Sequence, residues 1–297
     1  MSTGPRAKGL RVNEIYRVGV VGAGLMGSGI AEVCARAGVD VLVNEVDTAA
    51  LDAGRQRIER SLGRGVRAGK LSAADRSTAL NHLSFTTDLA DFADRELVIE
   101  AVVENEQAKV DVLATLDKVV TSPDAIFASN TSSIPIMKLG MATGRPQQVI
   151  GMHFFNPVPV LKLVELIPSL LTSDQTRTRT EDFALAVLGK VTIKSPDRAG
   201  FVVNALLIPY LLSAIRMFES GLASAEDIDK GMVLGCAHPM GPLALADLIG
   251  LDTTKAVAES MYAEFKEPLY SPPPLLLRMV DAGRLGKKTG HGFHDYS

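Results

Sequence analysis

The stretch from Tyr16 to Gly38 constrains the fold more than any other part of the chain. Y-R-V-G-V-V is a short apolar run suited to a buried parallel strand. It passes directly into G-A-G-L-M-G-S-G and then into the helical pattern I-A-E-V-C-A-R-A-G. In this turn Gly22 allows the sharp bend, Gly24 lets backbone approach a pyrophosphate, and Gly27 lets the helix pack closely on the strand. Leu25 and Met26 belong to the same turn and are candidate cofactor-binding residues with the three glycines. Gly38 closes the helix, and V-D-V-L-V follows as a second strand. Glu45 then stands where a carboxylate would bind the adenosine ribose hydroxyls. A glycine turn alone occurs in any α/β protein. Strand, turn, helix, strand and acid in order favour a dinucleotide site. Glu45 favours NAD, because a 2′-phosphate would meet a carboxylate; NADP stays open.

The rest of the first two-thirds continues this pattern. Residues 47–84 read as helical and polar, with Ser72 and Asp75 as a capping box. The basic run Arg55, Arg57, Arg60, Arg64, Arg67, Lys70 has two readings: a solvated helix face, or an arm that binds phosphates. Glu96 to Asn105 reads as a buried strand with Glu104, Asn105 and Lys109 at or beyond its carboxyl end, the ligand edge of a doubly wound sheet. A-I-F-A-S-N-T-S-S is another strand, ending in Asn130, Thr131, Ser132 and Ser133. These suit hydrogen bonding to a nicotinamide, ribose or substrate, and equally a helix N-cap.

V-I-G-M-H-F-F-N-P-V-P-V-L-K-L-V-E-L (149–166) places His153 and Glu165 on two apolar runs separated by a Pro-rich break. If the break folds the chain back, imidazole and carboxylate meet away from water, the arrangement of a general base with its orienting acid. A helix at about 172–188 and a short strand, V-T-I-K, come next, and S-P-D-R-A (195–199) is the expected domain boundary. Beyond it the strand pattern stops. Residues 201–219 read as a helix apolar nearly all round, buried against a core or a partner subunit. The expected architecture is therefore α/β: a Rossmann-type, mostly parallel sheet domain over residues 1–199, with 1–15 disordered, and an all-α domain over 200–297.

Composition excludes several other classes. The 297 residues are 46% apolar and 22% charged with a net charge of −3, so no basic surface argues for nucleic acid or an anionic membrane. No apolar run approaches the roughly 20 residues of a membrane span. Cys34 and Cys236 show no metal or redox spacing, so a reducing compartment is expected, and no metal site. Arg6, Lys8 and Arg11 fit a short organelle-targeting peptide or a disordered cytosolic extension; a cytoplasmic protein is the expectation.

Taken together the motifs G-A-G-L-M-G-S-G-I-A, I-E-A-V-V-E-N, A-S-N-T-S-S, G-M-H-F-F-N-P-V-P-V, G-F-V-V-N, H-P-M-G-P and G-K-K-T-G-H-G-F resemble the L-3-hydroxyacyl-CoA dehydrogenase family. Within it the chain looks most like the bacterial 3-hydroxybutyryl-CoA dehydrogenases. The resemblance covers nearly all of residues 16–296. It implies His153 as catalytic base, Glu165 as its orienting acid, Ser132 and Asn204 as substrate contacts, and Glu104, Lys109 and Asn130 along the cofactor site. It also implies an acyl-CoA substrate, a short-chain 3-hydroxyacyl or 3-ketoacyl thioester, and a homodimer formed through the α domain. Three positions depart from the family pattern: Glu45 replaces an Asp; Ala199 and Ala205 replace a Pro and an Arg flanking G-F-V-V-N; and Ala68 replaces a Lys near the CoA phosphates. Ser61, Arg64, Arg67 and Lys70 surround Ala68 as candidate CoA-binding residues. Two further readings stand beside this one, a dehydrogenase of a free hydroxy acid and a catalytically silent NAD-binding protein.

Overall fold

The computed structural model describes residues 15–296. The expectations for the N-terminal extension lie outside these residues, save at Ile15, which is buried in the first core. The chain divides into two compact units between Asp197 and Arg198.

The first unit is built on one sheet of eight strands: β1 (Arg17–Val21), β2 (Asp40–Asn44), β3 (Leu83–Thr86), β4 (Leu97–Glu100), β5 (Ile126–Ser129), β6 (Val149–Phe154), β7 (Leu163–Pro168) and β8 (Val191–Lys194). They lie in the order β3-β2-β1-β4-β5-β6-β7-β8. Every neighbouring pair is parallel except β6 and β7, which are antiparallel. The order of strands reverses between β1 and β4, the switch point at which doubly wound sheets bind ligands. β4, β5 and β6 are buried along their whole length, which their unbroken apolar runs require. The helices are α1 (Leu25–Arg36), α2 (Thr48–Arg67), α3 (Ala73–Asn81), α4 (Glu106–Val119), α5 (Ile136–Gly140) and α6 (Asp174–Asp182). Ser72 caps α3 as the sequence implies: its Oγ accepts from Asp75 N and donates to Asp75 Oδ2.

Two segments differ from the sequence reading. The polar helical stretch 47–84 ends in a strand, β3, paired in parallel with β2. L-S-F-T is a half-buried edge strand, too short for its alternation to stand out. The helix expected at about 172–188 is α6 followed by a π-helical turn over Phe183–Val187, in which Phe183 and Ala184 are buried and Leu185 is exposed.

The named elements of the second unit, apart from short 3₁₀ turns, are the α-helices α7 (Val203–Glu219), α8 (Ala225–Cys236), α9 (Pro242–Ile249), α10 (Leu251–Phe265) and α11 (Pro274–Asp281). They close around Leu211, Leu212, Ile215, Leu243, Leu251 and Met261. α7 does not bury its whole circumference: Leu206 is 75% and Met217 42% exposed. Asp229 accepts from Leu243 N and Ala244 N at the start of α9 and from His294 Nε2 at 2.7 Å. Asp247 accepts from Phe293 N, His294 N and Tyr296 Oη. Two buried carboxylates thus fasten the C-terminal segment, and His294 is a paired structural residue.

Candidate active site

The glycine turn joins β1 to α1. Gly22 sits at φ +93°, and a Cβ there would lie 2.7 Å from Ala101 O, so only glycine fits. At Gly27 a Cβ would strike Gly22 O, which is how closely helix and strand approach. At Gly24 a Cβ would meet nothing within 4 Å among the described residues. That open backbone at the N-terminal end of α1 fits the approach of a pyrophosphate, with the helix dipole favouring its charge. Leu25 is exposed there, and Met26 packs against the core. Glu45, just beyond β2, turns its carboxylate back onto the turn: Oε1 accepts from Ala23 N at 2.6 Å and Oε2 from Val46 N. Ala23 O accepts from Ser28 Oγ and from Arg57 Nη1 at 2.9 Å. Arg57, read only as one member of the basic run, therefore touches the turn itself.

At the carboxyl ends of β4 and β5 lies a charge network in which Glu100 and Lys109 are buried and the side chain of Glu104 is 35% exposed. Lys109 Nζ is 2.6 Å from Glu100 Oε1 and 3.3 Å from Glu104 Oε2, with its side chain 1% exposed. Glu100 also accepts from Ser129 Oγ and Val102 N. Glu104 accepts from Thr131 Oγ1, Ser132 N and Ser133 Oγ. Burial alone would raise the Glu104 carboxyl, but Lys109 and these hydrogen bonds outweigh it and hold the group below the ordinary range. Glu104 thereby ties down the turn that carries Ser132. Asn130 Oδ1 accepts from Phe154 N, joining the end of β5 to that of β6. Glu100 escaped the sequence reading, although the signal was present: an acid inside the apolar run V-I-E-A-V-V.

The antiparallel pairing sets His153 directly opposite Glu165. His153 Nδ1 lies 2.7 Å from Glu165 Oε2, and both side chains are buried. A carboxylate only accepts, so Nδ1 carries the proton and Nε2 is left as an acceptor. Ser132 Oγ stands 3.0 Å from that Nε2. The Phe155 ring meets the imidazole edge-on at 4.6 Å between centroids. Ser132, His153 and Glu165 thus form one hydrogen-bonded line beside the switch-point edge. Asn204 is in the second unit, half-buried in the first turn of α7. Ser61 and Arg64 on α2 line a cavity of about 220 Å³ with residues of α1 and the turn Asn156–Pro159. Arg67 lines a separate depression with Arg60 and Arg76, and Lys70 is exposed beyond the end of α2.

A dinucleotide turn at the switch point of a largely parallel sheet, with an imidazole–carboxylate pair on neighbouring strands, fits a nicotinamide-dependent dehydrogenase. Residues 17–198 match the model of the 3-hydroxyacyl-CoA dehydrogenase NAD-binding domain, and residues 200–296 match that family's C-terminal domain. The chain belongs to the 3-hydroxyacyl-CoA dehydrogenase family. It is 64% identical over 284 residues, 96% of this chain and 99% of the relative, to a 3-hydroxybutyryl-CoA dehydrogenase of Mycobacterium tuberculosis. The crystal structure of M. tuberculosis FadB2 superposes with a TM-score of 0.95 at 63% identity, covering 96% of this chain and 100% of that one. (S)-3-hydroxybutyryl-CoA dehydrogenase PaaH1 from Ralstonia eutropha gives a TM-score of 0.89 at 48% identity, again over 96% and 100% of the two chains. The protein is an NAD-dependent oxidoreductase that interconverts 3-hydroxyacyl-CoA and 3-ketoacyl-CoA.

Proposed function

We propose that the protein acts on short-chain thioesters, 3-hydroxybutyryl-CoA and acetoacetyl-CoA, with His153 as the general base and acid. The single observation that carries this reading is the line Ser132–His153–Glu165. In the oxidative direction Nε2 takes the proton of the substrate 3-hydroxyl, and Glu165 steadies the imidazolium formed. The nicotinamide, when bound, supplies the hydride acceptor. Ser132 shares the Nε2 position with the substrate oxygen and holds that oxygen in place. Asn204 contacts the thioester. In the reductive direction His153 returns the proton. Gly22, Gly24, Leu25, Met26, Gly27 and Glu45 hold the adenosine and pyrophosphate end of the cofactor, while Glu104, Lys109 and Asn130 shape its nicotinamide end. Ser61, Arg64, Arg67 and Lys70 receive the phosphorylated nucleotide of CoA. The protein works in the cytoplasm as a homodimer joined through its helical unit; Leu206, Leu222 and Leu234, each more than 70% exposed, support a covered face there.

A series of kcat/KM values over 3-ketoacyl-CoA chain lengths, with NADH and NADPH in parallel, tests the reading. Highest values for acetoacetyl-CoA with NADH are expected; a maximum at long chains, or turnover of free 3-hydroxy acids alone, overturns it. His153→Gln should lower kcat by roughly 10²–10⁴-fold and leave NADH binding, followed by fluorescence titration, near that of the wild type.

A further inference from the structure

Glu32 is a charged residue without an evident structural use. It projects from the middle of α1, its side chain 4% exposed, into the α1–α2 cavity of about 220 Å³. Its Oε2 is buried with no hydrogen-bond partner among the described residues, and its ion pair with Arg36 is long, 3.5 Å. Such a carboxylate lowers fold stability, because the lost hydration is not returned. The surroundings are strongly cationic: Arg36 on the same helix, and Arg57, Arg60 and Arg64 on α2 across the cavity. The Ser61 hydroxyl and the guanidinium groups of Arg36 and Arg64 draw the carboxyl down, yet burial prevails and its pKa is raised. A group that violates the rules of a well-packed core, facing a cavity, marks a functional position.

We infer that Glu32 is a positioning residue for the CoA-binding arm, its buried carboxylate holding Ser61 and Arg64 in the arrangement that receives the nucleotide phosphates. The inference rests on the reading of Ser61 and Arg64 as part of that arm. Without the carboxylate, three arginines and a serine on α2 have no buried counter-charge. They then spread apart, and each must be gathered again when the ligand binds. Glu32 acts on the carrier end of the substrate and leaves the reacting carbon to other residues.

The test compares acetoacetyl-CoA with acetoacetyl-N-acetylcysteamine, which lacks the nucleotide, in the wild type, Glu32→Gln, Glu32→Asp and Arg64→Ala. Glu32→Gln is expected to raise KM for the CoA thioester about five- to twentyfold, as for one weakened charge-assisted contact. The truncated thioester should show no such rise. Glu32→Asp, which keeps the charge, should recover part of the affinity. The melting temperature of Glu32→Gln should equal or exceed that of the wild type, an outcome opposite to that of a purely structural residue. A fall in melting temperature with equal KM changes for both thioesters overturns the inference. So does an unchanged KM for the CoA thioester in Glu32→Gln when Arg64→Ala raises it. If Arg64→Ala leaves that KM unchanged, the arm itself is wrongly placed and the role of Glu32 falls with it.

Discussion

At the scale of single residues, charge in an apolar setting marks the candidate site. His153 and Glu165 were legible in the sequence because each interrupts a run that packing alone would keep apolar. Glu100 obeys the same logic on β4. Its partner Lys109 is placed by the sequence at the ligand edge of the sheet, and the fold adds that its side chain turns inward onto Glu100. Lys109→Ala would leave Glu100 buried without its cation, and a loss of about 3–5 kcal/mol in unfolding free energy is expected from urea denaturation. Cys34 makes a different prediction. Burial pushes its thiol up to about 12, whereas an unfolded thiol ionises near ~8.5. The native chain therefore keeps a proton that the unfolded chain releases. Stability is complete below about pH 8.5 and falls with rising pH, by as much as ~1.4 kcal/mol per pH unit from this group. Denaturation midpoints between pH 8 and 10 should decline more steeply for the wild type than for Cys34→Ala; parallel slopes would contradict the assignment.

At the scale of elements, the periodic ones were legible and the irregular ones were not. β1, α1 and β2 follow from an apolar run, a glycine turn and a helical repeat. β3 has four residues and an edge position, so neither burial nor alternation announces it. The π-helical turn after α6 is set by what Phe183 and Ala184 pack against, information absent from local periodicity. α7 looked apolar on all sides, and sequence alone cannot say which part of such a surface faces its own core. The glycine turn allows a sharper test. Gly22→Ala combines a disfavoured φ with a clash against Ala101 O, and the turn must shift to relieve both. A lower melting temperature and at least about tenfold weaker NADH binding are expected, the latter from misplaced backbone amides at the helix start.

At the scale of the molecule, the two units have separate cores and separate kinds of fastening. The first is held by a continuous sheet, the second by helix packing and by Asp229 and Asp247 gripping the C-terminal segment. Removing residues 291–297 should take His294 from Asp229 and the Phe293, His294 and Tyr296 donors from Asp247, and lower the thermal stability of the helical unit. Sedimentation velocity on Leu206→Arg and Leu234→Arg variants tests the proposed dimer: dissociation is expected, and an unchanged assembly would place the interface elsewhere. What the sequence could not supply at this scale is depth. Glu32 looks like an ordinary polar position of a helix until α1 and α2 come together and set it across a cavity from Arg57 and Arg64.

The pairing of β6 with β7 fixes the distance between His153 and Glu165 by the spacing of neighbouring strands, a constant of all sheets, and not by the course of the connecting loop. The two side chains are thereby locked in phase. Deleting one residue inside β7 rotates the acid to the opposite face of the sheet and silences the pair, although every residue type needed for the reaction would still be present. The loop between the strands is released from that duty, because the register of β6 against β7 alone sets the pair.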